Sequence, residues 1–197
     1  FIQLLKADHP NMKYLEIISS ELEQLNFRIS QFLLLSKKEL IGKEKEQFHL
    51  NKLIDEVLNF LYPSILDGKV KIKKEIVEEI TLYGYADEMR QVLINIIFNA
   101  IDVLNHHRSS NPIIEIKSFI ENNENVVLSI SNNGPMIPAE LSKTIFEPFF
   151  TTKKLGTGLG LFVCNEIIEK HKGELNCSST PEITIFTIKL PIAASSI

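Results

Sequence analysis

Two asparagines, Asn95 and Asn99, interrupt the otherwise apolar run LINIIFNAIDVL, residues 93–104. Four residues apart, they share one face if the run is helical. Asn is a poor helix former, and a buried amide without partners costs about 1–3 kcal/mol. Something must therefore satisfy these two. Amide oxygens are hard, neutral ligands. Mg²⁺ takes such oxygens, keeps several waters and binds phosphates directly, so one Asn on a metal is one solution. A polar network inside the core, or capping of a neighbouring strand, is the other. Asp87 and Arg90 stand a turn or two upstream.

Two loops carry the other candidate chemistry. SNNGPMIP, 131–138, follows a strand-like run. It is a tight turn in its own right, with Gly134 free to take φ > 0. A side chain at that strand end could instead point into a pocket and read a base edge. In IFEPFFTTKKLGTGLGL, 145–161, the glycines open a helix. Such a start lets backbone N–H groups and the positive helix end approach a polyanion. It is neither a P-loop nor a strand-linked GxGxxG motif. Lys153 and Lys154 precede it, either as a solvated pair or as charge reaching a terminal phosphate.

These residues need elements to hold them. VKIKKEI (70–76), TLYGY (81–85), IIEIKSFI (113–120), NVVLSISN (125–132), ELNCSS (174–179) and TIFTIKL (184–190) read as strands, and QFHL (47–50) as a short one. NKLIDEVLNFLYP (51–63) reads as a helix closed by Pro63, and further helices are expected over about 86–107 and 158–171. Residues 134–157 hold three prolines and three phenylalanines, the composition of a long, partly mobile loop. Strands interleaved with helices in this order predict an α+β two-layer sandwich, not a doubly wound sheet.

Upstream, FIQLLK (1–6) looks like the end of a helix, and Pro10 is placed to open the next. Leu15, Ile18, Leu22, Leu25, Ile29 and Phe32 then repeat at alternating spacings of three and four, a coiled-coil seam. One narrow seam cannot bury itself, so a dimer-forming helical hairpin over 1–42 is expected, with a linker at 43–47 and a second domain over 48–197.

The bulk composition fits. The 197 residues are 44% hydrophobic, enough for one domain with a core and an appendage. A net charge of −4 without a basic stripe argues against nucleic acid as the main partner. Cys164 and Cys177 form no CxxC pattern and read as two reduced thiols. No apolar run has the ~18–20 residues that span a bilayer, and no signal peptide is visible. The chain starts at Phe1 within an apolar pattern, which reads as a piece of something longer.

Taken in order, an Asn-x-x-x-Asn-Ala helix, a strand ending in NGPxIP, an FEPFFTTK segment and a GTGLGL helix start resemble the four boxes of the sensor histidine kinase ATP-binding domain. That domain belongs to the gyrase, Hsp90, histidine kinase and MutL superfamily, with its Bergerat-type fold. The resemblance runs from about residue 46 to 191. The helices before it look like the dimerisation hairpin of these kinases, in the style of Bacillus sporulation kinases. It implies ATP and Mg²⁺ as cofactors. Asn99 would be the metal ligand, with Asn95 beside it on metal or phosphate. Asn132 stands where the family keeps an Asp that accepts from the adenine amino group, and Gly134 gives the turn under the base. Residues 135–157 would form a lid. Lys153 would neutralise the phosphates, and Gly156, Gly158 and Gly160 would cradle them. Ile137, Phe150, Thr157 and Leu159 would complete the nucleotide contacts, with Thr187 on the adenine floor.

Three departures stand out. Asn132 replaces a carboxylate, so it accepts without charge and nucleotide affinity should fall. Met136 replaces the second glycine of that box and should stiffen the turn. SSTPEITIF lacks the usual Gly before the last strand. None of His9, His49, His106, His107 and His171 is followed by an acid, so no catalytic residue is assigned and the phosphoacceptor is expected upstream of Phe1. The resemblance implies phosphoryl transfer from ATP to that histidine and on to an Asp of a response regulator, with a homodimer formed through the hairpin and room on it for a regulatory protein. It implies a cytoplasmic domain, and allows a parent anchored in the membrane. A superfamily ATPase is the first rival, disfavoured because Asn95 cannot act as the base that a Glu there provides. A nucleotide-free interaction module with a degenerate site is the second.

Overall fold

The computed structural model describes residues 44–77, 80–107, 111–153 and 156–192. The hairpin expected over 1–42, and the dimer it would form, lie outside them.

Two sheets form. Strand β1 (Glu46–His49) pairs antiparallel with β3 (Thr81–Gly84) in a two-stranded ribbon. The main sheet contains β2 (Lys71–Glu75), β4 (Ile113–Glu121), β5 (Asn125–Asn132), β6 (Glu174–Ser179) and β7 (Thr184–Pro191), in the order β2-β4-β5-β7-β6. Among the described strands only the β2–β4 pair is parallel. Strand β7 alternates strictly: Thr184, Phe186, Ile188 and Leu190 are buried, and the residues between are not. One face is thus a core face and the other is open, the pattern of a two-layer sandwich.

Helices α1 (Leu50–Phe60), α2 (Tyr62–Asp67), α3 (Ala86–His107) and α4 (Gly160–Lys170) supply the second layer. Helix α3 lies against β4 and β5, with α1 and α4 beside it. Its buried Met89, Val92, Leu93, Ile96, Ile97, Ala100, Ile101 and Leu104 recur at helical spacing. Asp87 and Glu88 open it, negative charges that complement the positive end of the helix dipole.

One boundary differs from the sequence reading. Pro63 does not close a helix over 51–63. The helix ends at Phe60, and Pro63 lies in the first turn of α2. Proline lacks an N–H that the first turn does not use, so it opens a helix as readily as it stops one.

The ribbon is tied to the helix layer through His171, just past α4. Its Nε2 accepts from the Tyr85 backbone N–H at 3.0 Å, and its Nδ1 donates to the Ile167 carbonyl at 2.8 Å. Both bonds together require the neutral ring. Gly84 permits the approach, since a Cβ there would come within 2.6 Å of the imidazole. His171→Ala leaves the Tyr85 N–H without this partner, while the Ile167 carbonyl keeps the residue 171 backbone N–H at 3.1 Å. It is expected to lower unfolding stability by about 1–3 kcal/mol in urea titrations.

Candidate functional site

The two asparagines that share a face of α3 have separate environments. Asn95 is 1% exposed. Its Oδ1 accepts from Gln91 Nε2 at 2.8 Å, and its Nδ2 donates to the Gly160 carbonyl at 3.2 Å and to Cys164 Sγ at 3.5 Å. The carboxamide is therefore spent inside the protein, joining α3 to the first residue of α4. Burial pushes the Cys164 thiol up to about 12, against the opposing pull of the Asn95 hydrogen bond. Burial alone pushes Cys177 up to about 11. Neither is a thiolate at neutral pH, which removes both as nucleophiles.

Asn99, a turn later, is half-buried and faces the loop. Its Oδ1 accepts from Lys153 Nζ at 2.9 Å, and the same ammonium pairs with Asp102 Oδ2 at 2.6 Å. Two oxygens of α3 thus hold a cation supplied by the 134–157 segment. Asp102 also lies 3.3 Å from His106 Nδ1. Arg90 is engaged elsewhere: it binds Glu56 of α1 at 2.9 Å and Asp87 at 2.5 Å, and the Glu56 hydrogen bond leads in raising its pKa.

At the end of the main sheet, strand register builds a polar row. Asn132 lies opposite Ile114 on one side and Thr184 on the other, and Thr184 lies opposite Ser179. The Asn132 Oδ1 accepts from the Gly134 N–H at 3.0 Å. Ser179 Oγ accepts from the Ile137 N–H at 2.9 Å and shares a proton with Thr184 Oγ1 at 2.6 Å. Thr184 Oγ1 in turn reaches the Pro135 carbonyl at 3.5 Å. The row fastens 134–137 to the sheet. Gly134 is needed here for room, not for positive φ: a Cβ would meet Asn132 Oδ1 at 2.7 Å and Val103 at 3.1 Å. Met136 sits in this turn, 48% exposed.

The sequence reading names Thr187 on the last strand and neither Thr184 nor Ser179. Thr187 pairs with Ser129 in the middle of the sheet, on the face turned away from the helices. Side chains alternate across a strand, so a threonine three residues along cannot share the face of Thr184. The missing glycine before β7 is also explained. The Thr180 hydroxyl accepts from the N–H groups of Glu182 and Ile183, each at 3.3 Å, and makes the turn without it.

The loop folds over itself rather than into a long element. Two short 3-10 turns, Ala139–Leu141 and Thr144–Phe146, lead into it, and Ile145 is buried. Phe150 is half-buried, its N–H bonded to the Glu147 carbonyl. Gly158 takes φ +68°, and a Cβ there would lie 2.3 Å from the Phe149 carbonyl carbon. A Cβ on Gly156 would lie 2.3 Å from Thr151 Oγ1. The Thr157 hydroxyl accepts from the Leu159 N–H at 3.4 Å, and Leu159 is buried. Leu159 gives α4 no side-chain cap, so the N–H groups that open the helix have no such partner.

The roles of the two asparagines separate by measurement. Asn95→Ala strips partners from Gln91 and Gly160 and is expected to cost about 1–3 kcal/mol of stability in denaturant. Asn99→Ala, whose partner is a surface lysine, is expected to stay within about 0.5 kcal/mol of the parent.

Comparison with known proteins places this geometry. The pattern of the histidine kinase-, DNA gyrase B- and HSP90-like ATPase family matches residues 84–194. Sporulation kinase E of Bacillus subtilis (strain 168) is 33% identical over 196 residues, covering 98% of this chain; the chain spans only 26% of that relative. The nucleotide-free catalytic domain of histidine kinase ThkA superimposes with a TM-score of 0.68 at 35% identity, over 76% of this chain and 98% of that one. ThkA in complex with the response regulator protein TrrA gives 0.72 at 32% identity, over 94% of this chain and 52% of that one. With this match over more than half its length, the chain belongs to the family of histidine kinase-, DNA gyrase B- and HSP90-like ATPases.

Proposed function

We propose that this chain binds a magnesium nucleoside triphosphate, ATP in the family to which it belongs, and acts as the core of a sensor histidine kinase. The observation that carries the reading is the meeting of Lys153 with Asn99 and Asp102, together with a glycine-rich helix start that lacks a side-chain cap. The Lys153 ammonium already occupies a cation position on the α3 oxygens, so the donor set suits a cation. Among the described residues no cluster of three His, Cys, Asp or Glu side chains is placed to hold a metal. A divalent ion here would rely on Asn99 together with phosphates and water, a pattern that suits Mg²⁺. When bound, the metal would neutralise and orient the phosphates.

The chain's own groups divide the remaining work. The first N–H groups of α4 face phosphate oxygens. Lys153 moves from Asp102 to the phosphates and offsets their charge. The polar row at Asn132, Thr184 and Ser179 holds the turn that borders the base. Asn95 fixes α4 against α3 rather than touching the metal. Phosphoryl transfer asks little more of a protein than positioning and charge neutralisation.

The acceptor in this reading is a histidine of the dimerisation hairpin, expected upstream of Phe1, with the hairpin over 1–42 pairing two chains. The ThkA–TrrA complex supports an aspartate of a response regulator as the next recipient. Among the described residues no helix is long and apolar enough to cross a membrane. The proposed setting is a cytoplasmic domain, in a parent protein that other segments would anchor. An ATPase reading loses support because Asn95 can take no proton and its carboxamide is committed to Gly160 and Gln91.

Calorimetry tests the proposal. The chain is expected to bind a non-hydrolysable ATP analogue only when Mg²⁺ is present. Asn99→Ala is expected to weaken that binding at least roughly tenfold, by loss of a ligand to a charged group. Absence of binding at millimolar nucleotide would favour the nucleotide-free module. Multiple-turnover ATP hydrolysis without any acceptor would favour the ATPase.

A further inference from the structure

Resting on the nucleotide reading above, we infer that Gln91 is a positioning residue for the phosphate-binding start of α4, acting through Asn95. Asn95 is 1% exposed, so its carboxamide must be satisfied inside the protein. The groups on the α4 side fix which way it faces. The Gly160 carbonyl, at 3.2 Å, can only accept. The Cys164 thiol lies 3.5 Å away and directs its own proton at the Val92 carbonyl, 3.9 Å from the sulfur, so it too accepts from Asn95. Both neighbours call for the amine. Nδ2 therefore turns to α4, and Oδ1 turns back toward α3, where it takes a donor. Gln91, one helical turn earlier and half-buried, supplies one: its Nε2 lies 2.8 Å from Oδ1.

On an open helix surface a Gln–Asn pair four residues apart does little, because water replaces either amide. Here the second amide is buried, and Gln91 holds its oxygen toward α3. Without that donor the carboxamide is free to rotate. Rotation would bring Oδ1 to the Cys164 S–H but set it against the Gly160 carbonyl, acceptor against acceptor. Gly160 is the first residue of α4, whose start has no side-chain cap, so a weakened bond there loosens the helix start. At the other end of the same seam, Lys170 pairs with Glu88 at 2.7 Å and ties down the close of α4. Gln91 and Asn95 do the equivalent for the end that meets phosphate in the nucleotide reading.

Three substitutions test the relay, by calorimetry of the full chain with a non-hydrolysable ATP analogue and Mg²⁺. Gln91→Glu keeps the shape and sets an acceptor against Oδ1; it is expected to weaken binding roughly fivefold or more. Gln91→Lys keeps a donor and is expected to stay within about twofold of the parent. Both are then combined with Asn95→Ala, where they are expected to bind alike. A contrast that persists there is a charge effect on the nucleotide and would overturn the inference, as would Gln91→Glu binding like the parent. Hydrogen exchange without nucleotide reads the helix start directly. In Gln91→Glu the amides of Val163 and Cys164 are expected to exchange faster, while those of Ile96 and Ile97 keep their rates. Unchanged exchange at Val163 and Cys164 overturns the inference even where the Asn95→Ala chains do not fold. Failure of the parent chain to bind the analogue would overturn the nucleotide reading itself, and the role of Gln91 with it.

Discussion

The contact between α3 and α4 at Asn95 is the constraint from which the site follows. Helix α4 begins at a glycine, after a segment with few apolar anchors, and its own sequence would let that start wander. The Asn95 amide takes hold of the Gly160 carbonyl from the most buried side of α3. It fixes the start of α4, which lacks a side-chain cap, against the helix that carries Asn99. A carboxamide is costly in a core unless both ends are bonded, and here both are. The expense of burying it is the reason the two helices cannot slide.

The second fixed point is the register of the sheet. Asn132, Thr184 and Ser179 come from three strands, and antiparallel pairing alone brings them into line. Each then bonds to the backbone of the 134–137 turn or to its neighbour in the row. The loop is therefore anchored at both ends, by the polar row where it leaves β5 and by α4 where it closes. Between them it holds Phe149 74% exposed at φ 67°, an unusual backbone for a bulky residue. Gly158 is what lets the chain pass so close to it.

Much of this was legible in advance. The strand-like runs 113–120, 125–132 and 184–190 fall on β4, β5 and β7 within a residue, and the helix expected over about 86–107 is α3. The bond of Lys153 to Asn99 and Asp102 has no signal in the sequence, where Lys153 reads only as charge for phosphates. What escaped has definite causes. Pro63 carries the same local signal at either end of a helix. Thr184 and Thr187 differ only in which face they occupy, and that follows from pairing with Asn132, which no local pattern records. Asn95 and Asn99 look alike in sequence. Only the position of α4 decides which amide is consumed internally and which is left for the loop.

The Lys153 contact has a consequence for how the loop responds to its surroundings. Lys153 is 43% exposed and Asp102 24%, so the pair contributes only about 0–1 kcal/mol. The loop is thus held in its resting place by something small enough for salt to weaken. If a divalent ion takes Asn99 as proposed, lysine and metal become alternative tenants of one amide oxygen. Filling the site would evict the loop's own charge, and emptying it would call that charge back. Occupancy of the site and posture of the loop would then be two readings of a single exchange equilibrium, visible to any surface that touches the outside of the loop.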